Sequence, residues 1–586
     1  MRKNPSLRQL LLGLGLLSVC AAGPAPGTAI DPVTPTAPSA VGPTSVAPVI
    51  ERPMPVAKHD GLAGAYLTAR FAASEADPDR AAGSYLRALE ADPSQPELLQ
   101  GAFISSLLSG RPEAVTLARR LPANQEAQYL LAGVDARAGK WDSAQQRFSS
   151  MPRQGLTQLL QPLLVAWAQQ GAGKTDAALA TLKPYADGKT FRGIYVLHMA
   201  LIADQAGRVS EAGKSYALAR TLFASNNLRL AQILASWEVR QGHADAAKQL
   251  LDGLTDGQDE MALVVPALIA HDVPRPVNTP LQGIADSYLA LAAALQQQDA
   301  NDFALIMLRL ALDLRPDFTE ARVLSAEINM AGKHYAQATE ALAGVPASDP
   351  LTPLVRMQRA RILDQLGKTD LALNELNEIT KAYPNSPLPE IQKGDILRGK
   401  KRFADAIVAY DAAIARISAP RRSTWPLFFS RGVAHERAGN WPLAEADMKR
   451  ALNLAPDQPA VLNYLAYSWA DQGVHLPEAR KMIERAIEQQ PKDPAIIDSL
   501  GWVMLRQGQP GDAELLLEQA VALQPEDATI NAHLGEAYWA VGRRLEAVFQ
   551  WRRALTLDPE PDDKARWEAR LRDVDSEQLT PAVRTP

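Results

Sequence analysis

Gly171-Ala172-Gly173-Lys174-Thr175 ends like a phosphate-binding loop, the most suggestive chemistry in this 586-residue chain. Such a loop needs a glycine five residues ahead of Gly173, so that backbone amides can turn inward on the anion. That place holds Ala168. The loop also needs a β-strand leading into it, whereas the residues up to Gln170 read as a helix. The stretch is therefore expected to be a helix–helix turn, and no nucleotide is assigned to it. Eight histidines (His59, His198, His243, His271, His334, His435, His475 and His533) are dispersed along the chain. No HExxH or other metal-ligand spacing occurs, and His435-Glu436 lacks a second histidine. There is no GxSxG nucleophile elbow and no CxxC pair. Carboxylates fall on polar faces of periodic segments, the default for a solvated helix. No catalytic, cofactor or metal residue is assigned, and the chain reads as non-enzymatic.

The composition agrees with an all-α chain of helices packed through small side chains: 47% hydrophobic, 22% charged and only 6% aromatic. A net charge of −5 without a basic block argues against nucleic acid as a partner, since tracking phosphates needs clustered Lys and Arg. The single cysteine, Cys20, excludes a disulfide framework. It ends an apolar run, Gln9 to Ala22, that follows the basic start Arg2-Lys3 and Arg8. This is the pattern of an export signal over residues 1–22, too short to span a membrane stably. Leu17-Ser18-Val19-Cys20 resembles a bacterial lipobox, departing from it at Val19, where a small residue is usual. That resemblance implies lipidation of Cys20 and attachment to the outer membrane; cleavage after Ala22 or Ala29, with Cys20 lost, is the alternative. Residues 23–57 carry nine prolines and read as a disordered tether reaching on the order of 100 Å.

Self-similarity organises the remainder. Leu500, Gly501, Ala513, Leu517, Ala520 and Pro525 recur 34 residues on as Leu534, Gly535, Ala547, Trp551, Ala554 and Pro559. Ala144, Ala178, Ala212 and Ala246, then Ala304, Ala338, Ala372 and Ala406, keep the same interval. Ala444, Ala479, Ala513 and Ala547 complete the series, with looser units around Ala81 and Ala114. Small residues let the two helices of a unit approach, large ones fill the space between units, and proline ends each unit. One unit cannot bury its apolar face alone, so stacking supplies the core. The pattern resembles the tetratricopeptide repeat (TPR), which implies a superhelical solenoid of about 13 helix pairs. The expected division is an N-terminal segment 58–257, an irregular junction 258–284, a C-terminal segment 285–560, a capping helix 561–574 and a disordered tail 575–586.

In TPR proteins the first helix of each unit lines a concave groove. The matching positions here are Asn463, Tyr467 and Asp471; Asp498, Trp502 and Arg506; and Glu536 and Trp539. Aromatic rings beside hydrogen-bonding groups suit a peptide groove, although Tyr467, Trp502 and Trp539 also fit as packing residues. The basic clamp with which some members grip a terminal carboxylate is missing. The segments NYLAYSWADQG, IIDSLGWVMLRQG and AHLGEAYWAVGR resemble bacterial outer-membrane TPR lipoproteins, among them the adaptor of a periplasmic carboxyl-terminal processing protease. That resemblance implies a periplasmic adaptor for proteins or peptides, touching the membrane only through its lipid. A scaffold for polysaccharide export or cell-wall assembly is the alternative.

Overall fold

The computed structural model describes residues 61–153, 157–223, 228–255, 263–270 and 274–579. The expected signal peptide with Cys20, the tether 23–57, part of the junction and the end of the tail lie outside them. Among the described residues, thirty α-helices occur, twenty-eight of them in fourteen consecutive pairs, against about thirteen expected. The other two are the short Val265–Leu268 and the C-terminal Pro561–Leu579.

Each pair forms for local reasons. Gly139, Gly173 and Gly207 end successive first helices with φ of +73°, +75° and +74°. An L-residue enters that left-handed region at a cost of about 1–2 kcal/mol, and Lys333 and Lys401 are positions where one does, at φ of +64° and +60°. At Gly173 the turn closes through its own amides. Gly173 N–H donates to Gln170 O at 3.0 Å, and Lys174 N–H donates to Gln169 O at 2.9 Å. The amides that would cradle a phosphate thus satisfy a helix C-terminus instead, and Lys174 Nζ donates to Asp142 at 2.8 Å.

The two helices of a pair close over the predicted small residues. A β-carbon on Gly501 would stand 2.7 Å from Leu517 Cγ, and one on Gly535 would stand 2.6 Å from Trp551 Nε1. The alanines of the repeat series are buried, with Ala144, Ala178, Ala212, Ala304, Ala338, Ala372 and Ala406 at 0% exposure. One position in that series is corrected: Ala247, not Ala246, is the buried alanine of helix Ala244–Thr255. The turn Gln241-Gly242-His243 is one residue later in register than its predecessors, which moves the inward position by one.

The chain divides into two compact units between Glu375 and Leu376, within helix Thr369–Ala382. The expected break at 258–284, with a second segment from 285, is therefore not where the units part. Helices Pro280–Gln297 and Asn301–Leu314 belong to the core of the first unit, which runs continuously from Ala65 to Ile328. The physical reason is the unusual burial of the first of them: every residue from Gly283 to Ala293 is buried, so it needs neighbours on all sides. The last helix also differs from expectation. It continues beyond 574 to Leu579, into the expected disordered tail, because no proline or glycine interrupts it before Pro581.

Candidate functional site

Each unit has an inner face made by the first helices of its pairs, and the two faces differ in what covers them. In the first unit, helices Pro280–Gln297 and Asn301–Leu314 lie against Pro96–Ser109, Gln125–Arg137, Thr157–Gly171 and Arg192–Gln205, all first helices. Trp167 abuts Gly283 so closely that a β-carbon there would overlap the indole. Tyr129 and Tyr288 meet edge to face with centroids 5.9 Å apart, and Arg137 pairs with Asp313 at 3.1 Å.

Charged and imidazole groups trapped under this packing are paired, whereas the Tyr288 hydroxyl is buried with no hydrogen-bond partner among the described residues. Trp167 Nε1 donates to His198 Nδ1 at 3.0 Å. Arg229 donates to both oxygens of Asp286, at 2.9 and 2.6 Å, and to Glu320 at 2.9 Å. Burial alone would depress the Arg229 guanidinium, but Asp286 and Glu320 outweigh it and hold its pKa above the ordinary value. Burial pushes His198 down to about 4, partly countered by the Asp286 charge. Arg240 and Arg275 converge on Asp204 at 2.6 and 3.2 Å. The inner face of the first unit is thus filled by the chain itself.

The second unit carries the eight residues singled out for a groove. Three of them meet around a histidine that repeat spacing does not flag. His533 Nδ1 lies 2.9 Å from Asp498 Oδ2, both side chains being buried. Trp502 stacks on His533 with centroids 4.1 Å apart and planes at 16°. Tyr467, two pairs away, packs on the same ring at 5.8 Å, and burial raises its phenol well above the usual range, with Asp471 and Asp498 adding to the shift. Asp498 is therefore engaged inside the fold, and Trp502 is a packing ring at 9% exposure. The Trp502 Nε1 hydrogen and Asn463 Oδ1 are buried and find no partner among the described residues.

The remaining groove positions are more open. Arg506 is exposed; its Nε donates to Ala470 O at 3.1 Å and its Nη2 to Asp471 O at 3.3 Å, and its guanidinium lies 5.8 Å from the Trp502 ring. The Asp471 side chain is exposed. Glu536 is half-buried, its pKa raised by burial and partly restored by Arg570, 3.5 Å away. Trp539 is half-buried, 5.6 Å from Trp551, with Arg544 and Arg570 over its face at 4.6 and 5.3 Å.

What spacing does not signal is the role of the last helix. Glu560, just ahead of it, pairs with Lys401 at 2.9 Å. Trp567 is buried beside Tyr538 and Trp551 in the terminal core cluster, which also takes in Val574. Among the described residues no cluster of His, Cys, Asp or Glu could hold a metal ion. Nor is any described helix long and apolar enough to cross a membrane.

Residues 279–425 match the family described as tetratricopeptide repeat-like domain, and residues 429–494 and 499–562 match the tetratricopeptide repeat family. An 88-residue stretch is 38% identical to the TPR repeat-containing protein PA4667 of Pseudomonas aeruginosa, covering 15% of each chain. Among solved structures, Cut9 in the APC/C hetero-tetramer Cut9-Hcn1 is similar at 14% identity over 88% of this chain and 96% of that one, with a TM-score of 0.36. Yeast Tom70 is similar at 14% identity over 78% of this chain and 97% of that one, with a TM-score of 0.33. Over residues 279–425, 429–494 and 499–562 the chain is thus similar to tetratricopeptide-repeat proteins.

Proposed function

We propose that this chain is a non-enzymatic adaptor of the bacterial cell envelope that holds a partner protein or peptide on the inner face of its second unit. Repeats of this family bind other proteins or peptides. The observation that carries the reading is a contrast between the two faces. The first unit's inner face is filled by helices 280–314, whereas the second presents half-buried Tyr467, Glu536 and Trp539 and exposed Arg506 and Asp471. Large rings beside charged hydrogen-bonding groups supply contact area and direction together, as interface anchors do. The filled first unit is then a rigid base and the second the working surface.

The location is proposed from the N-terminus: export through residues 1–22, a lipid on Cys20 and a proline-rich tether that sets the repeats at a distance from the outer membrane. In that place the adaptor delivers clients to a periplasmic protease. The experiment is affinity capture from envelope extract with residues 58–586, beside the same chain carrying Tyr467→Ala and Trp539→Ala. A protease or its clients retained by the first and lost with the second supports the adaptor. Polysaccharide-export or cell-wall proteins, retained equally by both, would replace it with the scaffold reading and remove the groove.

A further inference from the structure

The last helix stands over the residues that the proposed function assigns to a partner. It starts at Pro561, and the residue before it, Glu560, pairs with Lys401 in the turn between Leu388–Gly399 and Phe403–Ile414, four pairs back from the chain's final pair. Asp563 and Arg566 lie close enough to Tyr467 for their charges to act on its phenol. One turn on, Arg570 pairs with Glu536 and lies over Trp539 and Trp551, each at 5.3 Å. A helix that only shielded the terminal pair would have no reason to reach Lys401 or Tyr467.

Its attachment is slight for its length. Ten of the nineteen residues in Pro561–Leu579 are charged, and its buried side chains are Trp567 and Val574, seven residues apart on one face, among those whose side chains are described. Two of the ion pairs that hold it are open to solvent: Lys401 and Glu560 are 63% and 48% exposed, and Arg570 and Glu536 are 36% and 32% exposed. Pairs of this kind contribute little and are screened by salt. Elements with few buried anchors sit at the low-stability end of a fold and open first.

We propose that helix 561–579 is a resident occupant of the second unit's inner face, and that the partner segment the face accepts is an amphipathic helix presenting an aromatic ring and an arginine one turn apart, as Trp567 and Arg570 do. The proposal rests on the groove reading above and names its ligand class. Binding of a partner helix and docking of the chain's own helix are then mutually exclusive. The partner's apparent affinity is reduced by the fraction of molecules in which the resident helix is docked.

The test uses the chain from residue 58 onward and, as probe, a fluorescein-labelled peptide of residues 558–579. Trp567→Ala with Arg570→Glu removes the two anchors in cis. Fluorescence anisotropy should show the probe binding this variant at least tenfold more tightly than the unsubstituted chain. Hydrogen exchange should quicken in 563–574 while 459–523 is unchanged. A second variant, Lys401→Cys with Glu560→Cys, has its two thiols bridged by a bis-maleimide whose spacer holds a reducible disulfide, because a direct disulfide needs Cα atoms within about 7 Å. The bridge locks the start of the helix. The bridged chain should bind no probe until reduced, and then bind at least as tightly as the unsubstituted chain, since the ion pair is gone as well. Equal binding by the unsubstituted and two-anchor chains, or binding to the locked chain that reduction does not change, overturns the proposal. Either result leaves the groove reading standing on its own capture experiment, where Tyr467→Ala and Trp539→Ala decide it.

Discussion

Replacing Asp286 by alanine should unlock the inner face of the first unit, and the size of the effect follows from the charges left behind. Arg229 and Asp286 are 11% and 6% exposed, and Glu320, the second partner, is 13% exposed. In the native chain one buried cation faces two buried carboxylates. Without Asp286 the guanidinium keeps Glu320 but loses two donated bonds, and its Nη2 retains only Pro276 O at 3.4 Å. Removing one member of a buried pair costs about 3–5 kcal/mol; the surviving Glu320 puts this case at the low end, about 3 kcal/mol. Replacing the triad together, Arg229→Met, Asp286→Leu and Glu320→Gln, should recover most of that loss, because no charge is then left buried alone. The assay is native-state hydrogen exchange, which resolves helices without assuming that a chain of two units unfolds in one step. Protection should fall in 280–314 and in the helices beneath it, and stay unchanged in 459–555. A loss below about 1 kcal/mol by the same assay, or a loss spread evenly over both units, would refute the reasoning that this ion triad seals the face.

The remaining predictions concern pH, packing and two surface sites. His198 is held down to about 4 against 6.5 in the unfolded chain, so the unfolded state takes up its proton first. Stability of the first unit should be complete above about pH 6.5 and fall by about 3 kcal/mol as pH drops toward 4, and His198→Gln should flatten that slope in denaturant titrations followed at each pH. Gly535→Val should destabilise the last pair by at least about 1–3 kcal/mol, since the new side chain meets the fully buried Trp551; a thermal shift within error of the unsubstituted chain would count against that packing. Lys174→Ala should change stability by less than about 1 kcal/mol, its pair with Asp142 being exposed, and calorimetry with ATP should be flat for both chains.

The repeat was legible because its signal is local. Gly501, Gly535 and the alanine series report a close approach between helices adjacent in sequence, and both the pairing and the order of units follow from them. The one displaced member, Ala247 where a fixed interval gives Ala246, reflects one extra residue between Gly207 and Gly242, upstream of the turn. Contacts over long separations left no such mark. Helix 280–297 was read as the start of a new segment because its spacing restarts the series, and nothing periodic says that Tyr288 meets Tyr129 or that Asp313 meets Arg137. Its burial on every side was present in the run Gly283 to Ala293, whose only charge is Asp286, and that is the one clue available in advance. The expected groove residues all fall on first helices of their pairs, but periodicity cannot tell an offered side chain from an engaged one. Asp498 is taken by His533, a residue in the next repeat, and Trp539 is shared with Arg570 from a helix read only as a cap.

The central claim is that a partner is held on the inner face of the second unit, and site-specific photo-cross-linking tests it most directly. A photoreactive side chain would be placed at Tyr467 or Arg506 on that face, and at Val408 or Phe549, which are 68% and 66% exposed on second helices. Irradiation in the native envelope should give one cross-linked protein from the first two positions and none from the other two. Cross-links confined to Val408 or Phe549 would place the partner on the outer helices and contradict the account.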